Sequence, residues 1–273
     1  MSMEQCAAVK GFARLCDDGY RMGWHERNGG NLTYRLTAGE ATQCRPFFAA
    51  VPTGWARLGV AAPNLARELF IATGSGKYMC NVASDIEGNI CVVELDDEGA
   101  AYRVVWGLSR AGAPTSELPT HILGHSVKKE ASDSYRVIYH AHTPSVIALT
   151  FVLPLRSEVF TRALWLSMTE CPIIFPSGVG VLPWMIPGGA DIARETAAIM
   201  RAHNVAVWAH HGTFCAGEDF DSTFGLMHIL EKSADIYIKA LSCGKAPNQT
   251  VTDEDLRRLA GAFGVTLNEA YLH

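Results

Sequence analysis

The segment at residues 135–142 limits the fold of this chain more than any other stretch. Its β-branched and aromatic side chains predict a strand, and His140 and His142 lie two positions apart at its end. Successive side chains of a strand alternate between faces, so both imidazoles project to the same side. Thr143 and Pro144 follow as a helix N-cap and a first helical residue, which predicts a strand that runs directly into a helix.

Strand and helix patterns alternate along the rest of the chain. Strands are predicted at residues 32–36, 68–73, 90–95, 102–106, 171–175 and 205–209, and further helices at 4–24, 114–129, 158–170, 191–203, 219–243 and 252–263. The acidic turn between 90–95 and 102–106 predicts an antiparallel hairpin. Residues 37–64 are weakly patterned and predict an irregular excursion or a hairpin insertion. Because no repeat or clear linker interrupts the pattern, residues 1–273 are predicted to form one domain.

The composition narrows the class of protein. Apolar residues make up 48% of the chain and charged residues 19%, as in soluble globular proteins. A net charge of −5 without a dense Lys/Arg cluster gives no reason to expect nucleic acid. The eight cysteines include no Cys-x-x-Cys pair, which argues against a thiolate zinc ribbon and suits reduced thiols. Neither a signal peptide nor a membrane-spanning stretch is predicted, so we expect a cytoplasmic protein.

Two glycine-rich loops could bind an anion through backbone N–H groups. The first covers residues 28–31, where a plain tight turn is the favoured interpretation of the stretch taken alone. The second covers residues 74–77 at the end of a predicted strand. It is not a Walker A loop, because Ile71 occupies the place of the first glycine and Tyr78 follows the lysine. A simple phosphate cradle that uses Ser75 fits this second loop.

The helix predicted at 114–129 carries three residues with possible chemistry. Glu117 lies at its N-terminus, where the helix dipole favours a charged carboxylate, and a capping role alone would explain it. His121 and His125 are four residues apart, as in a zinc protease helix. Ile122 stands where that motif needs its glutamate, so these two histidines are interpreted as structural or interface residues.

A zinc site for catalysis keeps three protein ligands and one open position. His140 and His142 would provide two of them, and either His210 or His211 would provide the third. Imidazole nitrogen suits zinc. For a His-x-His pair taken alone, two unrelated histidines at a strand end are the alternative.

The order of these motifs resembles the class II aldolase and adducin family. The resemblance runs from about residue 20 to 265, and its matching stretches are 23–24, 26–33, 73–77, 114–119, 140–143, 169–171, 178–180, 182–185 and 211–212. His25 stands where this resemblance leads us to expect an acidic residue, and His210 is an additional histidine. The family pattern favours His211, directly before Gly212, as the third metal ligand.

The resemblance implies a fold and an activity. The fold would be a single α/β domain of three layers, with a mainly antiparallel central sheet covered by helices, assembled as a C4 homotetramer with sites near subunit interfaces. One Zn²⁺ per subunit, held by His140, His142 and His211, would act as a Lewis acid and stabilise an enediolate. The reaction would be the reversible cleavage of L-rhamnulose 1-phosphate to dihydroxyacetone phosphate and L-lactaldehyde.

The resemblance also implies roles for individual residues. Glu117 would be the general acid or base at the carbon next to the carbonyl. Glu170 would reach a neighbouring subunit's site and handle the proton of the aldehyde oxygen. The phosphate would be held by donors from Asn28, Gly30, Asn31, Ser75, Gly76, Thr115 and Ser116.

Three other functions are compatible with parts of the pattern. A fuculose-phosphate aldolase, a pentulose-phosphate 4-epimerase or a dehydratase would use the same zinc site. A Schiff-base aldolase would use Lys77 or Lys232 as its nucleophile. A non-catalytic adducin-like binding domain would be expected to lack the ligands, whereas all three histidines and the glutamate are present here.

Overall fold

A single mixed sheet runs through the protein. The computed structural model describes residues 2–108, 112–244 and 248–273. Its strands are β1 (Asn31–Arg35), β2 (Ala56–Arg57), β3 (Leu69–Thr73), β4 (Ile90–Leu95), β5 (Ala101–Gly107), β6 (Val137–Ala141), β7 (Gly180–Leu182), β8 (Val205–Trp208) and β9 (Gly212–Gly217). They form one nine-stranded sheet in the order β2-β5-β4-β3-β1-β6-β9-β8-β7. Neighbouring strands are antiparallel except for β7 and β8, which are parallel.

Helices cover both faces of this sheet. They are α1 (Ala7–Arg21), α2 (Ala38–Cys44), α3 (Met79–Val82), α4 (Ile86–Asn89), α5 (Leu118–Ala131), α6 (Pro144–Val152), α7 (Ser157–Trp165), α8 (Cys171–Ile174), α9 (Ala190–Met200), α10 (Phe220–Ser242) and α11 (Asp253–Phe263). On one face, α1, α7 and α10 contribute to a large apolar core, and on the other, α5 and α9 contribute to two smaller cores. The result is a three-layer α/β fold, as predicted.

The alternation of side chains along the strands creates these two faces. On β3, Leu69 and Ile71 pack in the large core, whereas Phe70 packs in a smaller core with residues of α5. On β6, Tyr139 faces the large core and Ile138 the opposite side. A strand buried on both faces needs apolar residues at successive positions, which explains the continuous apolar runs of the sequence.

The strand predicted at residues 171–175 is wrong, because the structure forms the helix α8 there. The run is apolar and rich in isoleucine, which favours a strand, and it is too short to show a helical period. Pro172 lies in the first turn of α8, where its missing N–H costs nothing. Cys171 is buried and Ile174 is 48% exposed, so only one side of this short helix contacts the core.

The excursion predicted at residues 37–64 contains regular structure at both ends. Thr37 caps α2 in a capping box, in which its side chain accepts from the Glu40 backbone and Glu40 accepts from the Thr37 backbone. β2 pairs with the outer side of β5. The hairpin predicted at 90–106 is confirmed as the antiparallel pair of β4 and β5.

The passage from β6 into α6 is held by a residue from a distant helix. Thr143 occupies the N-cap position as predicted, but its hydroxyl bonds to Thr213 and not to the helix. The carboxylate of Glu231 in α10 instead accepts from the backbone N–H groups of Ser145 and Val146, at 2.9 and 3.0 Å. These bonds attach the first turn of α6 to α10, directly after the predicted metal ligands.

The eight cysteines are all free thiols, and six of them are buried. Within the described ranges, none of the helices combines the length and the apolar character that crossing a membrane requires.

Candidate metal centre

Three imidazoles converge at the end of the central strands. His140 is the fourth residue of β6, His142 follows that strand, and His211 lies in the turn between β8 and β9. β6 pairs with β9 in a register that places Ala141 opposite Thr213, which brings the turn next to His142. One ligand atom from each histidine lies within 4.8 Å of the other two. The spacing suits a single metal ion.

The hydrogen bonds of His140 leave one nitrogen free for a ligand. Nδ1 lies 3.1 Å from the Thr213 carbonyl oxygen and donates to it, so Nε2 carries the lone pair. Nε2 is buried and has no hydrogen-bond partner among the described residues. An unpaired buried polar atom is costly, and here it faces two other imidazoles, so the residues fit a metal ion.

Burial keeps His140 and His211 in the neutral form that a metal requires. It lowers the pKa of His140 well below its usual value, and the neighbouring His142 and His211 lower it further. Burial, followed by the proximity of His142, lowers the pKa of His211 to about 4. Both residues are therefore unprotonated near neutral pH and can bind a cation without first releasing a proton.

Glu26 orients His142 and was not singled out by the sequence. Its Oε1 accepts a hydrogen bond from His142 Nδ1 at 2.5 Å, which leaves the other ring nitrogen free. Carboxylate–histidine pairs of this kind fix the tautomer and increase the basicity of metal ligands. Gly29 permits the close approach, since a Cβ there would lie 2.9 Å from His142 Cε1.

His210 lies outside the cluster. Its backbone has φ of +61°, and its N–H donates to Thr150 Oγ1 at 3.0 Å. Its exposed ring packs on Phe151, with 4.3 Å between the ring centres. The structure thus brings His211, and not His210, to the other two histidines.

Glu117 faces the histidine cluster. Its carboxylate oxygens lie 3.6 Å from His140 Nε2 and 3.9 Å from His211 Nε2. The residue is 6% exposed at the N-cap position of α5, but its side chain does not cap that helix. Burial raises the pKa of Glu117, while a hydrogen bond from Asn31 lowers it in part. A carboxyl group of raised pKa next to a metal site can carry a proton in either direction.

A cavity of about 210 Å³ lies between the histidines and the two glycine loops. The seven residues predicted to hold a phosphate all line it: Asn28, Gly30, Asn31, Ser75, Gly76, Thr115 and Ser116. Gly30 and Gly76 have φ of +72° and +69°, which favours glycine at both places. A Cβ at Gly30 would lie 2.8 Å from the His140 carbonyl oxygen, so a side chain there would disturb the metal ligand.

Comparison with known proteins decides the family. Residues 10–238 match the family described as Class II Aldolase and Adducin N-terminal domain. The chain belongs to this class II aldolase and adducin family. It is 44% identical over 258 residues to a protein named rhamnulose-1-phosphate aldolase from Klebsiella pneumoniae subsp. pneumoniae, and the match covers 94% of this chain and 93% of the relative.

Solved structures of sugar-phosphate aldolases share the fold. A sugar-phosphate aldolase from Thermotoga maritima aligns with a TM-score of 0.73 and 24% identity, over 89% of this chain and 98% of the other. An L-fuculose-1-phosphate aldolase from Thermus thermophilus aligns with a TM-score of 0.58 and 21% identity, over the same shares of 89% and 98%. The resemblance to this family that the motifs predicted is confirmed.

His25, which replaces the acidic residue expected in the family, supports the first glycine loop. The imidazole is buried, with Nδ1 3.1 Å from the Gly29 carbonyl oxygen and Nε2 2.7 Å from the Tyr139 hydroxyl. Burial lowers the pKa of His25 to about 4. A neutral ring that donates to Gly29 and accepts from Tyr139 satisfies both contacts.

Glu170 lies apart from the other predicted site residues. It is exposed at the N-terminus of α8 and does not line the cavity of its own chain.

Proposed function

We propose that this chain is a zinc-dependent aldolase that reversibly cleaves L-rhamnulose 1-phosphate to dihydroxyacetone phosphate and L-lactaldehyde, with residues 1–273 as one cytoplasmic domain. The observation that carries the proposal is the position of the Glu117 carboxylate at a cavity lined by two glycine loops. The carboxylate lies 3.6 Å from His140 Nε2, for which the described part of the chain offers no hydrogen-bond partner. The relative named for this activity, which is 44% identical along almost the whole chain, supports the choice of substrate.

In this proposal, ring nitrogens of His140, His142 and His211 hold the Zn²⁺ and leave a coordination position open to the cavity. When bound, the ion supplies Lewis-acid polarisation of the ketose carbonyl. The hydrogen bonds from His140 to the Thr213 carbonyl and from His142 to Glu26 hold two of the rings in place before any ion arrives.

The phosphate of the substrate is proposed to bind between the two glycine loops. Backbone N–H groups and the hydroxyls of Ser75, Thr115 and Ser116 are neutral donors that line the cavity. Such local donors replace a basic patch, so a chain of net charge −5 can still bind a phosphate ester.

Glu117 is proposed to move the proton at the donor carbon. In cleavage, the bond between C3 and C4 of the ketose breaks, and its electron pair stays on C3 beside the carbonyl. The C4 hydroxyl loses its proton as C4 becomes the aldehyde, and Glu117 delivers a proton to C3. Synthesis reverses these steps. The raised pKa of Glu117, caused by burial, suits a group that must hold a proton part of the time.

We further propose that the enzyme assembles as a C4 homotetramer, in which Glu170 acts at the cavity of a neighbouring subunit. Two features support this arrangement. Glu170 is exposed and is not among the residues that line its own cavity. Large apolar side chains near the site are also exposed, including Phe151 at 71%, Trp184 at 63% and Ile186 at 74%. In this role Glu170 would accept the proton from the C4 hydroxyl.

A coupled cleavage assay tests the proposal. Purified protein is given L-rhamnulose 1-phosphate, L-fuculose 1-phosphate or ribulose 5-phosphate, with and without a metal chelator. We expect the highest kcat/KM with rhamnulose 1-phosphate, and loss of activity in chelator that returns with Zn²⁺. A preference for either of the other two sugars would assign a sibling activity. Activity that resists the chelator, together with trapping of the substrate on the enzyme by borohydride, would indicate a Schiff-base lysine instead.

A further inference from the structure

A line of buried side chains continues from Glu117 into the protein. Glu117 Oε2 accepts a hydrogen bond from Asn31 Nδ2 at 2.9 Å. The other end of the same amide, Asn31 Oδ1, is hydrogen-bonded to Nε2 of His121 in α5. The Asn31 side chain is therefore held at both ends, by the proposed acid/base group and by a histidine.

The line extends two residues further. His121 Nδ1 lies 2.8 Å from Thr33 Oγ1, and His125 Nε2 lies 2.8 Å from the same oxygen. Thr33 and His121 are 0% exposed and His125 is 1% exposed. Solvent therefore does not compete for these hydrogen bonds, and each is stronger than it would be in water.

Strand and helix geometry explain why the four residues meet. Asn31 and Thr33 lie two positions apart on β1, which separates them by about 6.6–6.8 Å on one face of the sheet. His121 and His125 lie four positions apart on α5, which separates them by about 6 Å along one side of the helix. The two spacings match, so the histidines face the strand residues in register.

The direction of each hydrogen bond follows from the chemistry of the partners. An ionised Glu117 only accepts, so Asn31 must present its NH₂ group to it and its carbonyl oxygen to His121. His121 then carries its proton on Nε2, and burial, which lowers its pKa to about 3, keeps it neutral. Nδ1 accepts from the Thr33 hydroxyl, whose oxygen accepts from His125 Nε2. In each of the four hydrogen bonds, the donor is the residue farther from Glu117 along the chain of contacts.

We propose that His121 and Thr33 are positioning residues for Glu117: they fix the orientation of the Asn31 amide, which in turn holds the carboxylate at the donor carbon of the substrate. This inference rests on the proposed aldol function and extends it to residues that do not touch the substrate. It also gives Asn31 a role at Glu117, beside the phosphate contact expected from the sequence.

The physical basis is the near symmetry of an asparagine side chain. The two ends of the amide have almost the same shape, so only their partners decide which end faces Glu117. Without the neutral His121 at Oδ1, the amide can rotate and place its oxygen against the carboxylate, where the two acceptors repel each other. Glu117 would then lose its donor and its fixed position, and proton transfer depends steeply on position.

A matched set of threonine variants tests the inference. Thr33→Val keeps the shape of the side chain and removes the hydroxyl, whereas Thr33→Ser keeps the hydroxyl. The measured quantity is the exchange of the donor-carbon proton of dihydroxyacetone phosphate with solvent deuterium in the zinc-loaded enzyme, followed by NMR. This reaction moves a proton from carbon to Glu117 and returns a deuteron, without any aldehyde.

We expect Thr33→Val to lower the exchange rate about tenfold, part of the roughly 10²–10⁴-fold that an acid/base group contributes. KM for dihydroxyacetone phosphate and the zinc content should stay close to those of the wild type. Thr33→Ser should restore the rate to within about threefold of wild type. The control is Thr161→Val in α7, which removes an equally buried hydroxyl that accepts from the Val179 backbone N–H. It should lower stability without changing the exchange rate of the folded enzyme.

Variants at His121 give an independent measurement. His121→Gln retains an amide that can donate to Asn31, whereas His121→Phe cannot donate. We expect Gln to exchange faster than Phe, at equal zinc content. Labelling of the histidines with ¹⁵N reports the His121 tautomer directly, and a proton on Nε2 is expected in the wild type.

The outcomes separate the two proposals. If the wild type exchanges the proton and Thr33→Val exchanges it at the same rate, the positioning role alone is overturned. A His121 proton on Nδ1 has the same consequence. A zinc-loaded wild type that exchanges no proton overturns the aldol function, and the inference with it. Slow exchange in Thr33→Val with normal exchange in Thr33→Ser and Thr161→Val supports both.

Discussion

Glu117 combines burial with a proposed role in proton transfer, and this makes its substitution informative. Glu117→Gln preserves the shape of the side chain and the three histidines, so the variant should bind zinc as the wild type does. It cannot take up a proton, so exchange at the donor carbon should fall by about 10²–10⁴-fold. Metal analysis and deuterium exchange on the same sample check the prediction, and normal exchange in the variant would falsify the assigned role.

Glu26 is expected to act on the metal and not on the proton. Glu26→Ala removes the acceptor of His142 Nδ1–H, and loss of such outer-shell partners typically weakens metal affinity about 10–100-fold. A competition titration with a zinc-binding dye measures the change. Glu130→Ala serves as the control, because that partly exposed glutamate pairs with Arg201 at the surface of α5. Equal zinc affinity in both variants would contradict an orienting role for Glu26.

Sequence reasoning could predict some of these residues because their geometry is local. The strand period alone places His140 and His142 on one side, and a helix start places Glu117 at a terminus. The choice between His210 and His211 depends on a backbone φ of +61° at His210, which the two adjacent histidines do not reveal. Glu26 lies 116 residues from His142, and nothing in its spacing predicts the contact.

The attachment of α6 to α10 is expected to carry measurable stability. Glu231→Ala would leave the N–H groups of Ser145 and Val146 without an acceptor. Leaving a buried donor without an acceptor costs about 1–3 kcal/mol. We therefore expect the free energy of unfolding to fall by about 2 kcal/mol. Urea denaturation of the metal-free protein measures it. The exposed Glu195→Ala in α9 provides the control, and an equal effect in both variants would refute the capping role.

The burial of Lys128 in α5 should make the stability of the protein depend on pH. Its ammonium is buried, donates to Asn204 Oδ1 at 2.7 Å, and lies 5.2 Å from the centre of the Tyr135 ring. Burial lowers its pKa from 10.5 to about 8. Between these two pKa values the unfolded chain binds a proton that the folded chain has lost. The free energy of unfolding therefore rises as pH increases from 8 to 10.5, and this stabilisation is lost as pH falls through 8.

The comparison with Lys128→Met isolates this effect, since the variant has no ammonium in either state. Relative to the variant, the wild type should gain up to about 3 kcal/mol between pH 7 and pH 10, at about 1.4 kcal/mol for each pKa unit. Urea denaturation of both proteins at pH 7, 8.5 and 10 measures the difference. A difference that does not change with pH would show that the burial of Lys128 has no such cost.

Secondary structure was predictable where the signal is local and long enough. The hairpin of β4 and β5 has two runs of β-formers separated by an acidic turn, and it was predicted correctly. α8 was predicted as a strand, because four residues cannot display a helical period and its isoleucines favour strands. α2 does carry a local signal, since Thr37 is followed three residues later by Glu40, the sequence signature of a capping box.

The exposed apolar side chains beside the site allow a test of the proposed tetramer. Phe151 is 71% exposed at the end of α6, next to the turn that carries His211. If the chain assembles as proposed, multi-angle light scattering should give a mass of four chains. Phe151→Glu should reduce that mass and lower activity, because a charge buried in an interface is costly. Phe263→Glu, which alters a phenylalanine 61% exposed at the end of α11, is the control and should stay tetrameric. A monomeric wild type would contradict the assembly.

The location of the histidines at the ends of adjacent interior strands has one more consequence. β6 and β9 are paired along five positions, and both lie in the middle of the sheet, so the geometry of the cluster exists before an ion binds. In small zinc domains, by contrast, the ion supplies the folding free energy. Here the protein should keep its circular dichroism spectrum when stripped of metal and regain activity on reloading, without refolding. On the proposed function, the divalent ion that the site holds in a cell would then depend on supply and ligand preference at the moment of loading, after the chain has folded.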